Sequence, residues 1–328
     1  AMSRFEWPIH FGLLNQDCRW IIDEVQLMGP GLWTTAQLDW MRQKRFRSLK
    51  ACRTTWMSAT VGKSFLATFD RKRDGLDTVP EFEPQIDTDP KVQWWRDAKR
   101  RVDWSQHVTA EAIAGDVEQK HRAGTLSLVI CNTVEMARNV FRALGDTQPK
   151  ILLTSRFRRK DRARHEQLLL SFEATRRGHP GAAIPEHPGL VCVSTQVVEA
   201  GVDISAHQLW SELAPWPSIL QRLGRLNRNG RDQEAHAWFW ETPREGPGKQ
   251  ERIGPYDADV IARAKKLFEA LRPLSQAHPF SGAVGQLAAE HGAELEVALQ
   301  PKPTPLPRAL DVHGLFSTER DVHGGFTD

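Results

Sequence analysis

The chain has 328 residues, of which 40% are hydrophobic and 26% charged, so it is long enough for two ordinary domains with separate cores. A formal net charge of +3 neither requires nor excludes a polyanionic partner. We find no apolar run of about 18 residues and no signal-peptide pattern, so we expect a soluble, cytoplasmic protein with no membrane partner. Four widely spaced cysteines without a C-x-x-C pair predict small core residues in a reducing compartment.

The first hundred residues predict part of an α/β domain. The segment "CRWIIDEVQLMG" is an apolar run that ends in acidic residues, which is typical of a buried parallel strand whose carboxyl end opens into a site. A helical pattern, "WTTAQLDWMRQKRF", and a second strand, "CRTTWM", follow it, and a polar stretch from about 70 to 90 predicts a loop. We therefore predict that residues 1–105 form an incomplete first lobe.

The segment "MSATVGKS" allows two interpretations. Its Gly62-Lys63-Ser64 would suit a phosphate-binding loop, but the pattern G-x-x-x-x-G-K-[ST] needs an early glycine so that the backbone can curl around a phosphate. Met57 stands at that position, which argues against a phosphate loop. The preceding Ser-Ala-Thr must then be interpreted from the motifs on either side of it.

Alternating strands and helices from about residue 106 predict one complete lobe. The predicted strands are "TLSLVIC", "KILLT", "LVCVST", "QLWSEL" and "AHAWFW", and a helix or a short helical turn separates each from the next. Such alternation implies a parallel sheet that is covered on both faces. We predict this lobe over residues 106–272, and a truncated C-terminal helical and linker region over residues 273–328.

Acidic and basic side chains predict chemistry at the edges of these lobes. Asp23 can hold Mg²⁺ and Glu24 can orient a water molecule, although acidic residues after a strand often only start a helix. Arg222, Arg225 and Arg228 have helical i, i+3, i+6 spacing on a helix predicted to begin near Ser218. Arg225 and Arg228 could then point into one cleft around an anion such as a triphosphate, or belong to a solvated face.

The segments DEVQ, SAT, VICNT, STQVVEAGVD and QRLGRLNR follow the order of motifs II to VI of the superfamily-two helicases. The resemblance covers about residues 15–240, and the wording around "LLTSRFRRKDR" and "ELAPWPSILQRLGRLNR" is similar to the helicase-nuclease of type I CRISPR antiviral interference, especially its subtype U (also called G) variant. It implies two RecA-like parallel-sheet lobes, ATP and Mg²⁺ as cofactors, and single-stranded DNA and the RNA-guided surveillance complex as partners.

The resemblance also implies roles for individual residues. In the first lobe, Asp23 and Glu24 would hold the metal and position water, and Gln26 would link the phosphate end of the site to motif VI. Ser58 and Thr60 would couple the ATP site to DNA. In the second lobe, Gly201 and Asp203 would border the nucleotide, and Gln221, Arg225 and Arg228 would close over the γ-phosphate. On the DNA side, Thr133, Thr195, Gln196, Arg156 and Arg158 would contact the strand. A solvated helix face is the alternative for the basic cluster that contains Arg156 and Arg158.

Two parts of that family are missing from the sequence. Only 22 residues precede Asp23, too few for a strand, the phosphate loop and a crossover, and no adjacent His-Asp pair of the nuclease occurs. We therefore expect an internal piece of a longer helicase, inactive for ATP hydrolysis by itself, which works with the missing N-terminal segment and a nuclease domain in cis or in trans. The alternatives are another superfamily-two translocase, of restriction or repair, and a non-enzymatic nucleic-acid-binding remnant.

Overall fold

The computed structural model describes residues 6–46, 49–58, 63–72, 76, 93–178, 183–242, 252–299 and 305–316. The chain divides into two compact units, one made of residues 1–83 and 299–328 and the other of residues 84–298. The second unit therefore takes in segments that the sequence assigned to the first lobe and to the C-terminal region. None of the helices in the described ranges is both long and apolar enough to cross a membrane.

The first unit contains two short parallel strands and the helices beside them. Its elements are α1 (Trp7–Asn15), β1 (Arg19–Ile22), a 3₁₀ turn (Val25–Leu27), α2 (Pro30–Lys44), β2 (Arg53–Trp56), a second 3₁₀ turn (Lys63–Leu66) and the later helix α11 (Ala309–Leu315). Strands β1 and β2 pair in parallel from Arg19 with Arg53 to Ile22 with Trp56. Both predicted strands are confirmed, and α2 is the crossover between them. The predicted burial of β1 is wrong, because its residues alternate between exposed and half-buried and Ile21 is 64% exposed.

A small apolar core holds the first unit together. Val25, Leu32, Ala36, Phe65 and Leu66 are buried in one cluster. Beside it, the buried Asp39 carboxylate accepts hydrogen bonds from two arginines of the same unit, at 3.4 Å from Arg42 and 2.7 Å from Arg71.

The second unit is built on a sheet of six parallel strands. Its elements are α3 (Gln93–Arg96), β3 (Arg101–Trp104), α4 (Ala110–Lys120), β4 (Leu126–Ile130), α5 (Val134–Ala143), β5 (Lys150–Leu153), α6 (Arg159–Arg177), β6 (Leu190–Ser194), β7 (Gln208–Glu212), α7 (Trp216–Leu223), β8 (His236–Trp240), the hairpin β9 (Arg252–Ile253) and β10 (Tyr256–Asp257), α8 (Ala258–Ala277), α9 (Phe280–Glu290) and α10 (Gly292–Leu299). The strand order is β3-β8-β7-β4-β6-β5, with every pairing parallel. This arrangement confirms the predicted RecA-like α/β lobe and adds one strand, β3.

Helices cover both faces of this sheet. On one face, α4 and α5 pack Ile113 and Val140 onto Val129 and Trp210. On the other, Phe268 of α8 lies 4.7 Å from Phe239, measured between ring centroids. Strands β4, β6 and β7 are buried at every position, which is why they are predictable as continuous apolar runs. All four cysteines are free, and those of the second unit are buried.

The turn after α7 packs closely on α3 at Gly230. Gly230 has φ +66°, and a Cβ atom there would overlap the backbone and ring of Trp94. We expect Gly230→Ala to lower the free energy of unfolding by about 1–3 kcal/mol, as measured by urea denaturation. Gly115→Ala in α4 is the matched control: a Cβ meets open space there, so the helix should gain roughly 0.5–1 kcal/mol. Equal stability of the two variants would contradict this packing.

Candidate functional site

Two carboxylates lie at the carboxyl end of β1. Asp23 and Glu24 are both exposed, and Glu24 has a left-handed backbone with φ 50°. The Glu24 N–H donates to Asp23 Oδ1 at 2.9 Å, and the Val25 N–H donates to the Met57 carbonyl at 3.2 Å, which joins the ends of both strands. Exposed carboxylate oxygens at the end of a parallel strand are the hard ligands that Mg²⁺ prefers. The residue types therefore fit the predicted metal.

Of the two coupling residues predicted in the first unit, Ser58 lies within the described residues and Thr60 does not. Ser58 follows β2 and is half-buried. Thr60, together with Ala59 and Gly62, lies outside the described residues, as does the side chain of Gln26. The proposed coupling role of Ser58 and Thr60 stays a prediction.

Motif V forms the segment that follows β6. Thr195 is buried, and a 3₁₀ turn over Gln196–Val198 comes next. Gly201 then adopts φ +76°, and a Cβ there would meet no heavy atom of the described chain within 4 Å. Gly201 is exposed, as is the next predicted nucleotide residue, Asp203. The backbone at Gly201 is thus open to a ligand.

The predicted arginine helix is wrong in its extent. Helix α7 runs over Trp216–Leu223 and ends at Gly224, so Arg225 and Arg228 lie beyond it and do not share a helical face with Arg222. The chain turns back at Asn227, which has φ 44° and donates its side-chain amide to the carbonyl of Asp232 at 2.6 Å. The three arginines therefore reach three different environments.

Arg222 is fully buried and joins motif VI to motifs IV and V. Its Nε donates to Glu199 Oε1 at 2.8 Å, and its Nη2 donates to Asn132 Oδ1 at 2.9 Å. Its Nη1 donates to Ser211 Oγ at 2.9 Å and to the Glu212 carbonyl at 2.7 Å. The motif resemblance assigned no role to Arg222, Glu199 or Asn132. The sequence shows a cation, a carboxylate and an amide at these three positions, but no pattern in it predicts that their side chains are in contact.

Arg225 and Arg228 differ in what holds them. Arg225 is 7% exposed and donates to the backbone carbonyls of Val198 at 2.9 Å and Glu199 at 2.6 Å. Arg228 is about half exposed and lies 3.0 Å from Asp203 Oδ1. Arg225 is thus fixed to the motif V turn, whereas Arg228 has an exposed carboxylate that a phosphate could replace.

The Asp203 carboxylate lies among guanidinium groups. Arg177 Nη2 is 2.9 Å from its Oδ2. Burial raises the pKa of Asp203, but the hydrogen bond and charge of Arg177, together with the charges of Arg228 and Arg225, outweigh it, so the pKa lies below its ordinary value. This region attracts negative charge.

Arg100 adds a buried cation near Arg228. It is 5% exposed, and its guanidinium lies 4.8 Å from the ring centroid of Phe280. Burial and, to a smaller extent, the charge of Arg228 lower the pKa of Arg100 to about 10. Sequence analysis did not single out Arg100, because nothing in its "KRRVDW" context marks one of the basic residues as buried.

The predicted DNA-side residues of motifs IV and V follow neighbouring strands. Thr133 caps α5, and its Oγ1 accepts from the Met136 N–H at 3.1 Å. Gln196, after β6, donates its Nε2 to the Asn132 carbonyl at 2.9 Å and to the Tyr256 hydroxyl at 3.0 Å. Because β4 and β6 pair, the structure brings Thr133, Thr195 and Gln196 to one edge of the sheet.

The remaining predicted residues do not all converge. Arg156 and Arg158 are exposed in the segment between β5 and α6. Gln221 lies in α7, beside the Arg222 network. The carboxylates of Asp23 and Glu24 belong to the first unit and the motif VI arginines to the second, so their convergence on one triphosphate stays a prediction.

Comparison with known proteins supports the motif assignment. Residues 123–231 match the family profile described as CRISPR-associated nuclease/helicase Cas3, C-terminal. The chain resembles the helicase part of the Cas3 proteins. The match begins before β4 and ends after motif VI, so it contains motifs IV to VI. The resemblance predicted from the motifs is confirmed.

Individual relatives agree with this assignment. A Cas3 nuclease/helicase of Methanocaldococcus jannaschii is 35% identical over 122 residues, which are 37% of this chain and 16% of that protein. The CRISPR-associated helicase Cas3 of Thermoproteus tenax is 30% identical over 128 residues, 39% of this chain and 20% of the relative. The matches thus span a fifth or less of these relatives' length.

Solved structures confirm the fold. The crystal structure of T. fusca Cas3 aligns with 86% of this chain and 38% of its own at a TM-score of 0.54 and 18% identity. The structure of T. fusca Cas3-ATP aligns with 92% of this chain and 40% of its own at a TM-score of 0.54 and 16% identity. At this identity the likeness establishes the Cas3-like fold and leaves the activity of this chain to be tested.

The Arg222 network predicts a large stability effect. Arg222→Met leaves the Glu199 carboxylate, only 9% exposed, without its cation, and we expect a loss of about 3–5 kcal/mol in the free energy of unfolding. Adding Glu199→Leu should recover part of this loss, because no buried charge then lacks a partner. Arg263→Met, at an exposed pair with Asp259, is the control and should change stability by less than about 0.5 kcal/mol. Urea denaturation of all four proteins tests the network, and a fully stable Arg222→Met variant would rule it out.

The Asp203 pKa provides a second test. Removing the Arg177 donor by Arg177→Gln should raise the Asp203 pKa toward its ordinary value, as measured by carboxyl NMR titration. The depressed pKa stabilises the fold above the unfolded pKa, and this contribution is lost as the pH falls through the folded value. The contribution to stability should be small, since the Asp203 side chain is 58% exposed. Asp311, whose pKa is lowered by Arg308, should not respond and serves as the internal control. An unchanged Asp203 titration would show that Arg177 does not set it.

Proposed function

We propose that this chain is part of an ATP-dependent DNA helicase or translocase of type I CRISPR antiviral interference, which unwinds DNA or reels it in for degradation. One observation carries the proposal. The motif IV and V segments follow the paired strands β4 and β6, and Arg222 of motif VI bonds to both segments. A displacement of motif VI would therefore be transmitted through these hydrogen bonds to the segments that carry the residues predicted to contact DNA.

ATP and Mg²⁺ are the proposed cofactors. Bound Mg-ATP would supply the phosphoryl group and a cation that offsets charge developing during its transfer. Asp23 and Glu24 offer exposed oxygen ligands, and Gly201 offers an open backbone. Arg228, whose described carboxylate partner Asp203 is exposed, is the better-suited phosphate ligand of the two motif VI arginines. Arg225, bonded to two carbonyls, positions the motif V turn against motif VI.

The proposed partners follow from the same assignment. Single-stranded DNA would contact Thr133, Gln196 and the basic segment at Arg156 and Arg158, whereas Thr195, predicted as a further contact, is buried and offers the strand little surface. The surveillance complex, an N-terminal segment with the phosphate loop and a nuclease domain would act with this chain in a cytoplasmic assembly. Another superfamily-two translocase is disfavoured by the Cas3 profile match over residues 123–231.

ATP hydrolysis separates a motor from a nucleic-acid-binding remnant. We expect no steady ATPase activity from the purified chain, and activity when a phosphate-loop segment is supplied in trans with DNA. Arg228→Ala should then reduce turnover by about 10³–10⁵, because a closed site loses transition-state charge stabilisation. Arg225→Ala should also lower turnover, because the motif V turn loses the side chain that fixes it to motif VI.

Arg263→Ala, in the exposed Asp259 pair on α8, is the control and should leave the restored rate unchanged. Steady hydrolysis by the chain alone would contradict its dependence on the missing segment. Restored hydrolysis that survives both motif VI substitutions would contradict the motor, and DNA binding without any restored hydrolysis would indicate the remnant.

A further inference from the structure

A groove of about 540 Å³ opens in the second unit between α5 and the segment that follows β5. Its lining includes Glu135, Arg138, Asn139, Arg142, Thr154 and Arg156. Three of these are arginines, and all three are exposed. Only Arg156 is among the residues that the motif resemblance assigned to DNA.

The groove arginines have no carboxylate within ion-pair distance in the described parts of the chain. Some arginines of the adjacent α6, by contrast, are paired: Arg162 lies 2.7 Å from Glu166, and Arg176 lies 2.8 Å from Glu173. Glu135 is the sole acidic residue in the groove lining. The groove therefore concentrates positive charge that the protein itself does not neutralise.

The geometry suits an extended polyanion. Arg138 and Arg142 are one helical turn apart, so both reach the same side of α5, about 6 Å apart along its axis. Arg156 comes from another element, which widens the basic surface across the groove. The groove also reaches Val134, the first residue of α5, where free N–H groups and the helix dipole favour phosphate.

We propose that this groove binds consecutive phosphates of a single DNA strand through Arg138, Arg142 and Arg156. The choice of DNA rests on the proposed function. Guanidinium groups match phosphate oxygens in a bidentate manner, and the half-buried ring of Phe157 in the same lining offers an apolar surface for a base. The groove adds Arg138 and Arg142 of α5 to the residues predicted to contact DNA.

Salt-dependent DNA binding by the 328-residue chain tests the proposal without any nucleotide. The probe is a fluorescein-labelled oligothymidylate, followed by anisotropy over a series of KCl concentrations. The variant Arg138→Gln/Arg142→Gln removes two exposed charges from the groove. Arg263→Gln/Lys266→Gln is the matched control, since it removes two exposed charges from α8 of the same unit.

We expect the groove variant to lower the slope of log K against log salt by about 1.4, which is about 0.7 for each lost phosphate contact. Extrapolated to 0.1 M salt, that slope corresponds to an affinity loss of about 25-fold. The control should retain both the slope and the affinity of the unsubstituted chain. Circular dichroism should show unchanged folding, because the substituted side chains are exposed.

Several results would overturn the proposal. The first is an absence of measurable DNA binding by the unsubstituted chain. The second is an unchanged slope in the groove variant, and the third is an equal loss of DNA affinity in the groove and control variants. Unchanged DNA affinity with weakened binding to polyglutamate would assign the groove to an acidic protein partner instead. If the ATPase reconstitution fails but the DNA titration gives the expected result, the motor function is refuted and DNA binding by the groove is still supported.

Discussion

The buried guanidinium of Arg222 is the interaction on which the candidate site depends. A cation with no exposed surface is tolerated only when its donors are satisfied and its charge is opposed, and here Glu199 opposes it while Ser211, Glu212 and Asn132 accept its remaining hydrogen bonds. Because these partners come from β7 and from the segments after β4 and β6, one side chain sets the spacing of three motifs. The parallel sheet alone would not fix it, since motifs IV and V continue into irregular backbone beyond β4 and β6, and motif VI begins in helix α7.

The network continues toward the residues predicted to contact DNA. Glu199 accepts a second hydrogen bond from Ser218 Oγ at 3.0 Å, and the Asn132 N–H donates to Glu212 Oε2 at 2.6 Å. Gln196 bonds to the Asn132 carbonyl, so the motif V amide is held by the same residue that accepts from Arg222. A shift of α7 would therefore be opposed by, or transmitted to, the segments that follow β4 and β6. Such a satisfied buried network specifies one arrangement of these segments.

Sequence patterns predicted the sheet better than they predicted the site. Strands β4, β6 and β7 are continuous apolar runs because both faces of the sheet are covered, and the motif order placed their ends correctly. Strand β3 was missed because its four residues, Arg101–Trp104, include two charged residues and lie at a sheet edge. The end of α7 was missed because the arginine spacing continues past Gly224, although the helix does not. Tertiary contacts decided each of these outcomes, and single-sequence periodicity does not report them.

The arginines of the second unit differ in how completely the protein satisfies them, and that difference separates structural from ligand-binding roles. Arg222 is buried with a carboxylate and three further acceptors, so a ligand has nothing to add. Arg225 is buried and donates to two backbone carbonyls, which fixes its geometry. Arg228 has an exposed aspartate that competes with solvent and can be exchanged, since exposed ion pairs contribute little stability. Arg138 and Arg142 are not paired with a carboxylate in the described structure, and they lie in a groove rather than on a convex surface. All five carry the same charge in the sequence, and only their surroundings show which of them an anion can reach.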